Sequence, residues 1–446
     1  MWLWAGGERV VVGGTENVAV GGSGNLLTGG IPLTAEDRAI LNLESAEIVG
    51  HTCKVIVFDT DAPSAAALGQ RLRERIAAAP ALAGSLGGSP TRPVWIERPG
   101  FDPASQIFEH SAGAPCDRAG LRGEVARLFV ERLDRSRPLW RIDRLALQSG
   151  GAALVWRIHH ALADGSTAMR YARALLWDAR AREDAAHAQA AHERDQARRR
   201  AHLAHFFARE FARSVRDSPF DGRIGGRREV AFASLPLREL HDAAASIDAA
   251  TVNDAVLAVV GGGLRRWIER QHGRIDSVRV KVPVSLHQPA GEVDGGDPGN
   301  RDSFFAVPIQ ITHCDVVERL RAVHAATALR KSEHDAETMD ALLRRLGGLS
   351  PGLGRLCERI ERSPRAFAVN VSNVPGPREP VSVLGAPVDS LHSIAELAEH
   401  HALRIAAVSL AGTLCLGFCA DPALVENVES MAAATEDEAA ELIAAA

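Results

Sequence analysis

Apolar positions that alternate with polar ones predict strands in both halves of the chain. Apolar residues occupy every second position from Leu154 to Ile158, a period typical of a strand with a packed face. The turn at 149–151, Ser-Gly-Gly, joins segments 139–147 and 152–159 in a pattern typical of a β-hairpin. Similar alternation recurs in the second half, in segments 278–282, 305–311, 403–410 and 413–418.

Apolar residues spaced three and four positions apart predict helices between these strands. Leu68, Leu72 and Ile76 share one face of a predicted helix over 64–78. The same spacing or a capping pattern predicts further helices over 34–44, 121–133, 166–176 and 253–267. Strands and helices alternate in both halves, so we expect an α/β protein of the α+β kind.

Length and local composition divide the chain into four segments. The chain has 446 residues, more than one average domain. Residues 1–31 are rich in glycine, and we expect a flexible leader outside the fold. Residues 181–228 are rich in Ala, Arg and His, which predicts a charged helical crossover; a basic face resting on lipid is the alternative. The two predicted domains are 32–180 and 229–446.

Composition argues against several functional classes. The formal net charge of −5 at pH 7 lacks the basic excess of nucleic-acid-binding proteins. Six cysteines are scattered without disulfide or zinc spacing, so we expect them to be reduced. No apolar run is long enough to span a membrane, and the start lacks a secretory pattern. We therefore expect a cytoplasmic protein whose membrane contact, if any, is peripheral.

The strongest candidate for chemistry is the motif HHxxxDG at residues 159–165, between a predicted strand and a predicted helix. His160 shares the strand's Trp156 face, and His159 points the opposite way. A histidine at a strand end is held rigidly and can accept a proton near neutral pH. Asp164 lies near the helix start, where backbone N–H groups favour a carboxylate, and is assigned to holding the loop. Gly165 leaves backbone space, and the next residue, a serine, is a possible helix cap.

Two other interpretations of the paired histidines remain open. They could be hydrogen-bonded structural residues at a strand end. A metal site built from His159, His160 and Asp164 is disfavoured, because adjacent strand residues point to opposite faces and no other metal-ligand spacing accompanies them. We therefore predict no metal. A second doublet, His400-His401, has no comparable context.

Three further strings have both a structural and a functional interpretation, and the structural one is favoured for each. Asn253 and Asp254 follow Thr251 in a capping pattern before an apolar helix. The string Pro138-Leu139-Trp140 could begin a strand with a core tryptophan or line an acyl channel beside the base. Asn373 opens the string NVPGP, which is typical of a strand end and turn, although its backbone could approach a substrate.

Taken together, these strings resemble the bacterial wax ester synthase/diacylglycerol acyltransferase family. That family belongs to a wider group with chloramphenicol acetyltransferase and the condensation domains of peptide synthetases. The matching strings run in the family's order over about residues 32–425: Leu33–Asp37, Leu43-Glu44, Pro138–Trp140, HHxxxDG, Asn253-Asp254, Val282–Leu286, Gly299–Arg301, Ser372–Pro377, Gly417-Phe418 and Asp421. The string Glu399–Ala402 departs from the family's usual glycine-containing turn.

The resemblance implies two chloramphenicol-acetyltransferase-like mixed-sheet domains with one active site in a channel between them. It also implies transfer of a fatty acyl group from acyl-CoA to diacylglycerol, a long-chain alcohol, or both, with His160 as general base. No cofactor is expected, and contact with membranes or lipid bodies is possible. Ser285 is a candidate for stabilising the oxyanion.

Two other functional classes stay open at this point. One is an enzyme of the wider group that takes acyl chains from a carrier protein or acylates an amine. The other is a lipid-binding protein with a degenerate site. The complete HHxxxDG motif argues against the latter, because a pure binder has no need of a base beside a helix start.

Overall fold

The structure is a computed structural model that describes residues 30–89, 91–110, 115–178, 218–273, 275–285, 302–332 and 366–446. Most of the predicted leader and of the predicted crossover lies outside the described residues, as does the string Gly299–Arg301. The described chain forms two mixed sheets flanked by helices, which confirms the predicted α/β class.

The first sheet has five strands in the order β14-β2-β7-β6-β5. Its strands are β2 (His51–Phe58), β5 (Ile107–His110), β6 (Trp140–Ala146), β7 (Ala152–His159) and β14 (Ser390–Ala395). All neighbours are antiparallel except β5 and β6. The associated helices are α1 (Ala35–Leu41), α2 (Ala65–Arg75), α3 (Arg118–Phe129) and α4 (Gly165–Leu175). A small sheet joins β1 (Ile31–Pro32), β3 (Gly84–Ser89) and β4 (Arg92–Glu97).

Both faces of the first sheet are covered. Val55 and Val155 pack in the same core as Val125 of α3, whereas Ile56 and Trp156 pack with residues of α2 and α4 on the other face. All eight residues of β2 and all eight of β7 are buried. A central strand between two helical layers therefore shows a continuous buried run, including the polar residues on it.

The second sheet has six strands in the order β10-β9-β11-β15-β16-β8. Its strands are β8 (Glu229–Pro236), β9 (Ser277–Ser285), β10 (Asp302–Gln310), β11 (Val369–Val374), β15 (Leu403–Leu410) and β16 (Thr413–Ala420). Strand β11 is parallel to both of its neighbours, and the other pairs are antiparallel. The helices of this half are α5 (Leu237–Ser246), α6 (Val252–Gln271), α7 (Val316–Ser332) and α8 (Val428–Ala444), and β12 (Ser382–Val383) pairs with β13 (Ala386–Pro387).

One strand crosses from the second half into the first sheet. Strand β14 pairs with β2 along six positions, from Ser390 opposite Val57 to Ala395 opposite Thr52. The sheet that carries the HHxxxDG motif is thus completed by a segment more than two hundred residues further along the chain. Sequence position alone therefore does not separate the two lobes.

A cluster of charged residues, centred on a buried ion pair, connects α8 to α6 and α7. Glu438 is fully buried, and its carboxylate contacts the guanidinium of Arg319, which is also fully buried. The same carboxylate accepts hydrogen bonds from Arg266 Nε at 2.8 Å and from Arg265 Nη2 at 3.3 Å. A Cβ atom on Gly262 would lie 2.3 Å from Glu438 Oε2. The glycine allows the two helices to approach closely enough for this cluster to form.

Candidate active site

The HHxxxDG motif forms a tight loop between β7 and α4. Backbone N–H groups of Leu162 and Ala163 donate to the carbonyl of His159 at 2.9 and 3.1 Å. Asp164 is the N-cap of α4, and its Oδ1 accepts from the Thr167 backbone at 2.6 Å and from Ser166 Oγ at 2.8 Å. The proposed cap at Ser166 is therefore wrong by two positions. Both residue types can cap a helix, but Asp164 has the extended backbone of an N-cap, whereas Ser166 already lies in the first turn of α4.

His159 is fully buried, and both of its ring nitrogens are engaged. Nδ1 accepts from the Ala161 backbone at 3.1 Å, so the neutral ring carries its proton on Nε2. Nε2 donates to Glu44 Oε1 at 2.7 Å, and Glu44 Oε2 accepts from Arg135 at 2.6 Å. His159 thus fixes the loop and has no nitrogen available to act as a base.

Gly50 makes room for this arrangement. Its φ is +69°, and a Cβ there would lie 2.8 Å from His159 Nε2. The carbonyl of Gly50 accepts a hydrogen bond from the backbone of His160 at 2.9 Å. A side chain at this position would be strained by its backbone conformation and would displace the His159 ring.

His160 is the second residue of the motif, and its side chain is partly exposed. Burial lowers the pKa of its imidazole to about 4, the positive charge of Arg404 acts in the same direction, and the Asp164 carboxylate opposes both. A hydrogen bond to the residue's own backbone also raises the pKa, but not enough to offset burial. A neutral imidazole has one protonated nitrogen and one nitrogen with a lone pair. His160 is therefore neutral at pH 7 and able to accept a proton.

The second sheet lies against the start of α4. A Cβ on Gly165 would be 2.9 Å from Val374 Cγ2, at the end of β11. Gly165 therefore allows the helix to pack on the NVPGP strand. Asn373 is exposed beside it, and strand alternation places its side chain on the face opposite Val374. The backbone of NVPGP, rather than the amide of Asn373, borders the motif.

The residues of the string Pro138-Leu139-Trp140 make contacts within the first lobe. Trp140 is buried, and its Nε1 donates to the carbonyl of Leu82 at 2.7 Å. The Pro138 carbonyl accepts from Gln106 Nε2 at 2.8 Å. Leu139 is buried, and its carbonyl accepts from the His159 backbone at 2.9 Å. These residues anchor the end of β7.

Asp254 lies in the second lobe and joins two helices there. It forms a capping box with Thr251 at the start of α6, and its Oδ1 accepts from Thr327 Oγ1 of α7 at 2.5 Å. His324 Nδ1 lies 3.0 Å from its other oxygen. Asn253 is the second residue of the same helix and is partly exposed. Asp254 thus connects the start of α6 to α7.

Two further candidates add little to the site. The backbone of Ser285 ends β9 opposite Asp302, but its side chain lies outside the described residues, so its role stays a prediction. His401 is buried, with its ring stacked on Phe367 at a centroid distance of 4.0 Å. Within the described parts of the chain, no group of three or more His, Cys, Asp or Glu side chains is arranged to hold a metal ion.

Sequence reasoning missed three charged residues around the motif: Glu44, which was noted only as part of a string, Arg404 and Lys54. Lys54 is 1% exposed in β2, and its Nζ donates to Ser393 Oγ of β14 at 2.8 Å. Burial lowers the pKa of Lys54 to about 8. A lysine directly before the apolar run Val55–Phe58 was a visible signal of an unusual site, but its partner on β14 was not visible in the sequence.

The fold and the motif together define the class of two-lobed acyltransferases that carry HHxxxDG at the end of a central strand. The family models confirm this: residues 33–216 match the wax ester synthase/diacylglycerol acyltransferase catalytic domain, and residues 298–443 match the WS/DGAT C-terminal domain. The chain belongs to the wax ester synthase/diacylglycerol acyltransferase family, as the sequence motifs indicated.

Individual relatives agree with this assignment. A protein of Mycobacterium tuberculosis named as a putative diacylglycerol O-acyltransferase is 28% identical over 93% of this chain and 97% of its own. Another from the same species, named as a probable diacylglycerol O-acyltransferase, is 27% identical over 79% and 81%.

Solved structures share the fold. A wax ester synthase/diacylglycerol acyltransferase from Marinobacter aquaeolei VT8 matches with a TM-score of 0.68 and 22% identity, over 92% of this chain and 98% of that one. The first condensation domain of the CDA synthetase matches with a TM-score of 0.58 and 17% identity, over 92% and 97%. The predicted two-lobed architecture is thereby confirmed.

The lowered pKa of His160 predicts an unusual pH profile. A general base must be neutral to accept a proton. With His160 in that predicted role, kcat/KM is expected to stay near its pH 7 value down to about pH 5 and to fall near pH 4, whereas an ordinary histidine would lose roughly nine-tenths of its neutral form by pH 5.5. Arg404→Gln removes a nearby positive charge and is expected to move the fall in kcat/KM to higher pH. Initial rates across pH, with circular dichroism at each pH, measure this. A fall in kcat/KM near pH 6.5 in both proteins would contradict the prediction.

Proposed function

We propose that this protein transfers a fatty acyl group from acyl-CoA to the hydroxyl of a lipid acceptor, diacylglycerol or a long-chain alcohol. The observation that carries the proposal is the placement of His160. It is partly exposed, it directly follows the last residue of the buried strand β7, and the loop that holds it is fixed by His159 and Asp164. The names of the relatives, which include diacylglycerol O-acyltransferases, support the same reaction class.

The reaction requires two proton transfers, from the acceptor hydroxyl to His160 and from His160 to the leaving thiolate. The unprotonated ring nitrogen of His160 accepts the hydroxyl proton while the acceptor oxygen attacks the thioester carbonyl. The tetrahedral intermediate then releases the coenzyme A thiolate, which takes the proton from the imidazolium. The new C–O ester bond replaces the C–S thioester bond, and the base returns to its neutral form. The thioester supplies the activation, so we propose no cofactor and no acyl-enzyme.

The residues around His160 hold it in place during this cycle. Glu44 and His159 fix the loop on one side, and Asp164 fixes the start of α4 on the other. Burial raises the pKa of Asp164, but the hydrogen bonds from Thr167 and Ser166 outweigh this and lower it. The carboxylate stays charged and stabilises the imidazolium that forms. We keep Ser285, at the end of β9, as a candidate donor to the oxyanion.

The acceptor is a lipid, so the protein must meet it at a lipid surface or receive it in soluble form. Among the helices of the described ranges, none combines the length and apolar character needed to cross a membrane. We propose peripheral contact with membranes or lipid bodies. Flotation of the purified protein with phospholipid vesicles and with triacylglycerol emulsions tests this.

A panel of donors and acceptors tests the reaction. We expect purified protein to form esters from palmitoyl-CoA with diacylglycerol, hexadecanol or both, and to form little or no product from acyl-carrier protein or with hexadecylamine. Ester is measured by mass spectrometry and released thiol by colour reaction. Preference for the carrier protein or the amine would assign the chain to another branch of the wider group. Absence of product with every pair would overturn the proposal.

A further inference from the structure

The loop between α1 and β2 contacts both histidines of the motif. Glu44, at the start of this loop, accepts a hydrogen bond from His159 Nε2 at 2.7 Å. Gly50, at its end, accepts one from the His160 backbone N–H at 2.9 Å. We call residues 44–50 the support loop. Because its last residue contacts the proposed base directly, the support loop helps to fix the backbone of His160.

Glu396 holds the support loop at the position before Gly50. Its Oε2 accepts from the Val49 backbone N–H at 3.0 Å, and its Oε1 accepts from the Leu397 backbone N–H at 2.8 Å. Val49 is only 4% exposed, and a buried N–H needs an acceptor. Glu396 directly follows β14, whose last residue pairs with Thr52 of β2. The carboxylate therefore fixes the support loop where the pairing of β2 with β14 ends.

Arg228 binds both the support loop and Glu396. Its Nη2 donates to the Glu47 carbonyl, and its Nη2 and Nε lie 3.1 and 3.3 Å from Glu396 Oε1. Its Nη1 donates to the carbonyls of Gly225 at 2.7 Å and Arg227 at 2.8 Å. The side chains of Arg228 and Glu396 are 1% and 9% exposed, so the ion pair is buried. Arg228 directly precedes β8 of the second sheet, and it thus connects the support loop to the second lobe.

A gain in stability is a weak reason for a buried ion pair at this place. Apolar side chains of similar volume often stabilise a core as well as a buried ion pair does, or better. Apolar side chains cannot accept from the Val49 N–H or donate to the Glu47 carbonyl, however, and hydrogen bonds have a preferred direction. The specific contribution of Arg228 and Glu396 is thus the position that they give to the support loop.

A small shift of the support loop would reach the base directly. Gly50 has a φ of +69° and lies between Val49, which Glu396 holds, and the first residue of β2. If Val49 moves, the direction of the Gly50 carbonyl changes, and with it the hydrogen bond to the His160 backbone. A general base must lie within hydrogen-bond distance of the proton that it accepts. A misplacement of about 1 Å can lower a rate about 100-fold.

We propose that Arg228 and Glu396 are positioning residues for the acyl transfer: they hold the support loop, and the support loop holds His160 where the acceptor hydroxyl must meet it. The inference rests on the proposed function, with His160 as its base. It adds to the reaction an ion pair that lies outside the HHxxxDG motif. The two residues act through the support loop and not by touching a substrate.

Glu396→Gln tests the positioning role by kinetics, because it keeps the volume of the side chain but replaces an accepting oxygen with an amino group. With palmitoyl-CoA and the acceptor that the parent prefers, we expect kcat to fall about tenfold or more and both KM values to stay within about twofold of the parent. Arg228→Met is expected to lower kcat in the same way, and Arg228→Lys, which keeps the charge, to lose less. Parental kcat in folded Glu396→Gln and Arg228→Met would overturn the proposal.

Glu438→Gln is the matched control for these variants. It too weakens a buried ion pair, but the partners of Glu438 are arginines of α6 and α7. At a temperature where all variants are folded, we expect it to lose stability in urea and to keep kcat within about twofold of the parent. If Glu438→Gln lowered kcat as much as Glu396→Gln, the loss would follow from reduced stability, and the positioning role would be wrong.

Hydrogen exchange measures the effect on the base without a substrate. The His160 amide donates to the Gly50 carbonyl, whereas the His159 amide donates to the Leu139 carbonyl at 2.9 Å. In Glu396→Gln we expect the His160 amide to exchange at least about tenfold faster and the His159 amide to keep its rate. Mass spectrometry with electron-transfer fragmentation separates the two amides. Unchanged exchange at His160 in a variant with a lowered kcat would overturn the route through the support loop.

Failure of this inference and failure of the proposed function give different results. If the parent forms no ester with any pair of substrates, the proposed acyl transfer fails, and hydrogen exchange in Glu396→Gln still decides whether the ion pair positions His160. If Glu396→Gln does not fold, Glu396→Asp replaces it, because it keeps the charge beside Arg228 but shortens the reach to the Val49 N–H. We then expect a smaller fall in kcat together with faster exchange at His160. Parental values of both would contradict the inference.

Discussion

Replacing His160 with alanine is expected to lower the rate of ester formation by about 1000-fold, within the range that a general base contributes. The side chain is partly exposed, and the loop around it is held by Glu44, His159 and Asp164. Its removal therefore takes away the proton acceptor without taking away the contacts that fix the loop. Single-turnover assays with palmitoyl-CoA and a preferred acceptor measure the loss.

His241→Ala is the matched control for this variant. His241 is exposed on α5 of the second lobe, and its Nδ1 lies 3.1 Å from Asp242 Oδ1. We expect it to keep the full rate, and both variants to keep the circular dichroism spectrum of the parent. Turnover by a folded His160→Ala variant within about tenfold of the parent would remove His160 from the role of base.

Glu438→Ala is expected to produce the largest loss of stability, about 3–5 kcal/mol in the free energy of unfolding. The substitution leaves the guanidinium of Arg319 buried without its carboxylate and removes a partner from Arg265 and Arg266. An unpaired charge in the core costs much more than the pair itself contributes. Equilibrium unfolding in urea, followed by circular dichroism, measures the change.

Glu441→Ala, on the same helix, is the comparison for that measurement. Glu441 is more than half exposed and pairs with Arg266 at 2.5 Å, so its loss is expected to cost less than about 1 kcal/mol. Replacing both Arg319 and Glu438 with methionine should recover much of the stability lost in Glu438→Ala, since apolar residues of similar volume can replace a buried pair. Similar small losses for Glu438→Ala and Glu441→Ala would show that the cluster is not stabilising.

Local patterns in the sequence were enough to find the elements that carry the motif. Alternation predicted the hairpin of β6 and β7, and helical spacing predicted α2, with boundaries shifted by only a few residues. These predictions succeed because the period of a strand or helix depends on residues close together in the chain. The helix cap was placed wrongly because Asp164 and Ser166 are both capping residues, and only the backbone geometry distinguishes them.

Contacts between distant residues could not be predicted in the same way. Glu44 and His159 are 115 positions apart, and Lys54 and Ser393 are 339 positions apart. Neither pair has a fixed spacing, because each depends on the order and register of strands. Lys281, Asn370 and Arg404 are a similar case, since they become register partners only when β9, β11 and β15 align.

The position of β14 has a consequence for synthesis of the chain on the ribosome. Until residues 390–395 emerge, β2 has β7 on one side and an open edge on the other. An open edge strand is a template for pairing with other chains. A nascent or truncated chain that stops near residue 228 would thus leave this edge of β2 unpaired and open to aggregation. The first sheet can be completed only after residues 390–395 have been translated.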